Sequence, residues 1–151
     1  MAGDQPRTTI DDLLATARAR LDRVTAEQAL AETREGAVII DIRPQEQRRR
    51  TGVVPGSLYF PRNHLEWRID PTSEWAHPAV SDPCTRIVLM CNEGYATSLA
   101  AVTLQELGFA GATDMIDGFD GWRAAGLPIE PFDEQRHAYD RPWVAGHDLD
   151  A

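Results

Sequence analysis

Apolar and polar positions along the chain change period several times, and each change marks an element. Over residues 9–20, Ile10, Leu13, Leu14 and Ala17 recur at helical spacing, which predicts a short amphipathic helix. The brief apolar stretch Leu21 to Val24 has the length of an edge strand. Thr25 followed by Gln28 reads as a capping box, predicting a helix over Ala26 to Arg34 that Gly36 stops. "AVIID" (37–41) is apolar without alternation, as in a strand buried on both faces. A polar connection with at most a helical turn follows at 44–52, then a Pro-Gly turn and short strand within 53–61. Residues 62–69 suit a short helix, and the Pro- and Ser-containing segment 70–83 suits a loop. "TRIVLM" (85–90) is the second clear buried strand. Thr97 to Leu107 reads as a helix with Leu99, Val102 and Leu107 inward and Gly108 as its stop. A strand at 113–117 and a short helix at 118–126 complete the pattern.

Strands alternating with helices predict an α/β fold: three layers, with a mostly parallel central sheet of about five strands covered by helices on both faces. The division expected is an N-terminal helical extension (1–20), a main domain (21–130) and a C-terminal tail (131–151). The tail is acidic and poor in aliphatic residues, so it either wraps the domain or stays unstructured. In parallel sheets chemistry gathers beyond the carboxyl ends of the strands. Cys91 and Asp41 both fall at such ends.

A chain of 151 residues suffices for one domain with a real core. No apolar run approaches the roughly 20 residues that span a bilayer, and the N-terminus lacks the order of a secretory signal. The expectation is a cytoplasmic protein. The net charge of −9 argues against general binding to nucleic acid or an anionic membrane. All 15 basic residues are arginine. Two cysteines, Cys84 and Cys91, make no disulfide scaffold, and a reducing compartment keeps them as thiols. The histidines at 64, 77, 137 and 147 are scattered, so no metal is expected, nor any cofactor.

Cys91 opens the segment "CNEGYATS" (91–98), between a strand end and a helix start. A tight loop there can turn successive backbone N–H groups inward, a cup reinforced by the helix N-terminus that favours thiolate over thiol. Gly94 supplies a position free of Cβ restriction. A free cysteine after a buried strand also packs well as a small hydrophobe, and the residues alone leave both roles open.

The segment resembles the active-site loop of the rhodanese family. Two further segments fit the same family: "VIIDIRPQEQ" with "GVVPGSLYFP" resembles its first signature, and "DGFDGWRAAGLPI" its C-terminal one. The three occur in family order over about residues 21 to 130. The resemblance implies a single-domain sulfurtransferase with Cys91 as catalytic nucleophile. Cys91 would take a sulfane sulfur from thiosulfate or an organic or low-molecular-weight persulfide and pass it to a thiol or cyanide, or to a protein acceptor. Backbone amides over Asn92, Glu93, Gly94, Tyr95, Ala96 and Thr97 would bind substrate and persulfide. Asp41 and Arg43 match the family's Asp-x-Arg and would play a supporting role, Arg43 pairing with Glu46 or a loop carbonyl. A non-catalytic rhodanese-like binding or regulatory module is the alternative.

Asn92 stands where the family usually has arginine, Ala96 where arginine or threonine is common, and Glu93 adds negative charge. A carboxylate beside the cup should disfavour doubly charged thiosulfate by on the order of 1 kcal/mol. Tyr95 is either an aromatic rim for an organic donor or an exposed loop residue. Arg48, Arg49 and Arg50 either replace the missing loop cation or form a solvated charge run. Cys84 is expected to be a bystander rather than a thiol that resolves the persulfide. Trp67, Phe119 and Trp122 are expected to pack. A phosphatase loop would need arginine six residues after the cysteine, where Thr97 stands.

Overall fold

The computed structural model describes residues 6–140. The element order is α1 (Ile10–Ala19), α2 (Ala26–Thr33), β1 (Val38–Asp41), α3 (Gln45–Thr51), β2 (Leu58–Tyr59), α4 (Leu65–Ile69), β3 (Ile87–Met90), α5 (Ala96–Glu106), β4 (Ala112–Asp114), α6 (Gly118–Ala124) and α7 (Glu134–His137). The four strands form one parallel sheet in the order β2-β1-β3-β4.

The sheet has four strands rather than about five. The stretch Leu21 to Val24 is confined between the C-cap of α1 at Arg20 and the N-cap of α2 at Thr25. Only Val24 reaches the sheet, bridging Met115 through Val24 N–H to Asp114 O (3.2 Å) and Ile116 N–H to Val24 O (2.8 Å). The capping box on Thr25 forms as its sequence predicts, with Gln28 answering the Thr25 N–H. A second box, Thr9 with Asp12, starts α1.

Because strand side chains alternate, β1 and β3 feed two separate cores. One face carries Ile40, Ile87 and Leu89 into a cluster with Phe60, Leu65, Ile69, Leu104 and Phe109. The other carries Ile39, Val88 and Met90 against Val24, Met115, Phe119 and Trp122. Helices α4 and α5 cover the first face and α2 and α6 the second, which makes the three layers.

Three helices depart from the sequence reading. The polar stretch 44–52 is more than one turn, because Arg48 on α3 turns inward to a buried carboxylate. Helix α5 buries Ala100, Ala101 and Leu104, whereas Leu107 is exposed. On α1, Ala17 is buried but Ile10 and Leu13 are exposed, so α1 meets the domain through its C-terminal half. Trp67 is half exposed rather than packed. The described part of the tail lies against the domain: the Arg48 guanidinium donates to His137 O (2.8 Å), and the Tyr139 ring meets Tyr59 edge-on at 5.5 Å. No helix among the described residues is long and apolar enough to cross a membrane.

Trp122 is fully buried and its indole N–H donates to Pro128 O at 2.8 Å. Trp122→Ala is expected to cost about 3–5 kcal/mol, read from urea unfolding.

Candidate active site

At the carboxyl ends of β1 and β3 the chain opens a cleft of about 930 Å³ lined by residues that include Ile42, Arg43, Pro44, Pro61, Arg62, Cys91, Glu93 and Tyr95. Cys91 follows β3 directly and is partly exposed at this cleft. Its Sγ accepts the Gly94 N–H at 3.2 Å and lies 3.5 Å from Thr97 Oγ1.

The loop takes this shape because three of its carbonyls are bound elsewhere. Cys91 O accepts from Phe119 N–H (2.8 Å) and Asn92 O from Asp120 N–H (3.0 Å), both in the first turn of α6. Gly94 O accepts from Arg18 Nη2 (2.9 Å) and Arg23 Nη2 (3.0 Å). Across a planar trans peptide the following N–H points the opposite way, so the amides of Asn92, Glu93 and Tyr95 face away from these partners. Gly94 has φ +87°, and a Cβ there would meet Asp117 N at 2.9 Å and Met115 O at 3.1 Å. Gly118 is equally constrained, since a Cβ would collide with Cys91 O. Close approach of α6 to the loop therefore requires glycine at both places.

Of the loop residues, Asn92, Glu93, Tyr95 and Ala96 line the cleft with Cys91. Gly94 and Thr97 are buried behind it. Tyr95 is exposed, its ring facing the Arg18 guanidinium at 5.5 Å. Thr97 Oγ1 and Ser98 Oγ both donate to the fully buried Asp114 (2.9 and 2.8 Å), which also pairs with Arg23 at 2.9 Å.

Asp41 and Arg43 form a buried pair at 2.8 Å. Arg43 does not pair with Glu46: its remaining donors go to Thr51 Oγ1 (3.0 Å) and Gly52 O (2.9 Å), and Glu46 pairs with Arg50. Its guanidinium also sits 4.0 Å over the Phe119 ring, tying β1 to α6. The three arginines of α3 supply no loop cation. Arg48 is buried with its Nε 3.3 Å from Asp41 and its guanidinium over Tyr59, Arg49 pairs with Glu134, and none of the three lines the cleft. Burial pulls the Arg48 guanidinium below its ordinary value, opposed by Asp41, and pushes the Tyr59 phenol up. Cys84 is exposed before β3 begins, at the opposite end of the strand from Cys91, which leaves it no resolving role. Among the described residues no cluster of three or more His, Cys, Asp or Glu side chains is arranged to hold a metal.

The sequence reading missed Arg18, Arg23, Ser98 and Asp114, which support the loop, and Arg62, which lines the cleft. Arg62 is partly exposed and pairs with Glu66 at 2.6 Å. The i,i+4 Arg62-Glu66 spacing within the helix expected at 62–69 was the one local signal available.

A family model, Rhodanese-like domain, matches residues 25–125. This chain belongs to the rhodanese-like domain family. It is 28% identical over 107 residues to the thiosulfate sulfurtransferase GlpE of Haemophilus influenzae, a match covering 71% of this chain and 92% of that one. It is 31% identical over 96 residues to GlpE of Actinobacillus pleuropneumoniae serotype 5b, covering 64% of this chain and 80% of that one. Among solved structures, a Rhodopseudomonas palustris protein of unknown function, described as a possible tyrosine phosphatase, superposes with a TM-score of 0.74 at 35% identity, covering 83% of this chain and 99% of that one. A Pseudomonas aeruginosa thiosulfate sulfurtransferase superposes with a TM-score of 0.64 at 26% identity, covering 80% of this chain and 22% of that one. The Asp-x-Arg at 41–43, the loop at 91–97 and the Trp122 helix of this rhodanese-like domain all fall inside the matched region.

Removing Asp41 would leave the Arg43 and Arg48 guanidiniums buried beside each other without their carboxylate. Asp41→Ala is expected to lose about 3–5 kcal/mol of stability. Thermal melting checks this, and the loss should appear whether or not a sulfur donor is present.

Proposed function

We propose that this chain is a sulfurtransferase that carries sulfane sulfur on Cys91. The observation that carries the reading is a cysteine sulfur at an open cleft that already accepts a backbone N–H from its own loop, at 3.2 Å from Gly94. In the first step the Cys91 thiolate attacks the outer sulfur of a donor persulfide R–S–SH. A new S–S bond forms, the donor S–S bond breaks, and the electron pair leaves on RS⁻. In the second step an acceptor thiolate or cyanide takes the outer sulfur from Cys91–S–SH and returns Cys91 to thiolate. Loop amides and the N-terminus of α5 stabilise the charge that moves between these sulfurs. A reducing compartment such as the cytoplasm suits a thiol that must be regenerated in every turnover. A small molecule or a protein thiol can serve as acceptor at an open cleft.

The donor that suits the cleft is organic. Its volume of about 930 Å³ sits at the upper end of the roughly 300–1,000 Å³ common for small-molecule sites. Ile42, Pro44, Pro61, Tyr95 and Ala96 give its wall an apolar character. Two arginines line it, Arg43 already bound to Asp41 and Arg62 paired with Glu66, while Glu93 faces the same space. Such a site favours a donor with an apolar body and at most one negative charge over thiosulfate.

The phosphatase description of the Rhodopseudomonas palustris neighbour finds no support in this loop. Thr97 stands where that chemistry needs an arginine to clamp phosphoryl oxygens, and its hydroxyl is committed to Asp114.

Incubation with an alkyl persulfide, followed by mass spectrometry of the intact protein, is expected to add one sulfur atom to the wild type and none to Cys91→Ala. Absence of any adduct with alkyl persulfide, glutathione persulfide or thiosulfate would leave the non-catalytic module as the better account. Glu93→Gln is expected to improve thiosulfate use severalfold, through KM more than kcat, since it removes a repulsion worth on the order of 1 kcal/mol. Steady-state kinetics with both donors measure it, and an equal change for an uncharged donor would refute the electrostatic explanation.

A further inference from the structure

We propose that Arg18 and Arg23 are positioning residues that hold the Cys91 loop in its reactive shape and supply positive charge that the loop's own sequence lacks. Both lie before residue 25, where the match to the family begins. The proposal rests on reading Cys91 as the nucleophile.

Residues 91–98 contain no basic side chain, and Glu93 makes the loop formally negative. Two guanidinium groups nevertheless converge on one loop carbonyl, Gly94 O, from Arg18 at 2.9 Å and Arg23 at 3.0 Å. They reach it from behind, on the side opposite the N–H of the peptide that follows. Charge-assisted donors on the carbonyl polarise that peptide, and the polarisation makes its N–H a stronger donor on the other side.

The same two side chains fix the support beneath the sulfur. Arg18 Nε donates to Ser98 Oγ (3.2 Å), and Ser98 donates to Asp114 (2.8 Å). Arg23 grips Asp114 through Nε (2.9 Å) and Nη2 (3.2 Å). Asp114 in turn holds the hydroxyl of Thr97, 3.5 Å from Cys91 Sγ. Both arginines therefore act on the loop by two routes, through Gly94 O and through the Asp114 hydroxyl network. Neither route needs the arginines to touch substrate.

The test uses the full chain with Cys84→Ser, so that Cys91 is the remaining thiol. The readouts are the rate of Cys91 alkylation by iodoacetamide at pH 7 and single-turnover sulfur loading from an alkyl persulfide. Arg18→Gln is expected to slow both by about tenfold or more, since it removes the charge-assisted hydrogen bonds to Gly94 O and Ser98 Oγ. Arg18→Lys, which keeps the charge, should recover most of it. Arg20→Gln, at the C-cap of the same helix but paired with exposed Glu106 at 3.5 Å, is the control and should match wild type. Arg18→Gln with wild-type alkylation and loading rates overturns the proposal. Equal slowing in Arg20→Gln, or slowing that only follows a lowered melting temperature, overturns it too. Arg23→Gln leaves buried Asp114 without its counter-charge and is scored only if it melts as wild type; Arg18 decides otherwise. If wild type is alkylated normally but accepts sulfur from no donor, the sulfurtransferase reading falls, and the alkylation comparison still decides the role of Arg18.

Discussion

The site depends on where one short loop sends its carbonyl oxygens. A tight turn has as many acceptors as donors, and it can present amides to a cysteine only if the acceptors are satisfied on the far side. Here they are satisfied by three segments distant in sequence. The first turn of α6 takes Cys91 O and Asn92 O, while Arg18 on α1 and Arg23 just after it share Gly94 O. The geometry at the sulfur is thus a property of the whole fold and not of the loop alone. The glycines at 94 and 118 are the steric side of the same arrangement, because each lets backbone approach backbone where a methyl would not fit.

Much of this was legible in the chain. The strands at 37–41 and 85–90 announced themselves because burial on both faces removes alternation, and the capping box at Thr25 fixed the start of α2. Cys91 at a strand end was visible, as was the need for glycine at 94. What could not be read was whatever depends on pairing across long sequence separations. The edge strand failed because four residues between two helix caps leave room for a single bridge at Val24. Arg43 chose Asp41 two residues away over Glu46, because its side chain turns into the interior where the carboxylate already is. Arg18 and Arg23 sit more than 70 residues from the carbonyl they bind, and no local pattern encodes that.

The two buried carboxylates divide the labour. Asp41, with Arg43 and Arg48, ties β1 to α3 and, through the Phe119 ring, to α6. Asp114, with Arg23, Thr97 and Ser98, ties β4 to the start of α5. Each lies at the end of a strand, where it fixes the position of the neighbouring chain. A buried pair of this kind is weak evidence for net stability, since desolvation consumes much of the Coulombic gain. Its value here is geometric, in fixing two walls of the cleft.

Asp114 also bears on how the domain can be excised or transplanted. Its counter-charge, Arg23, lies just outside the segment that the family pattern recognises. A fragment trimmed to that pattern would bring the carboxylate into the interior without its guanidinium. The segment that the family model matches and the unit that balances its own internal charge are, in this chain, of different lengths.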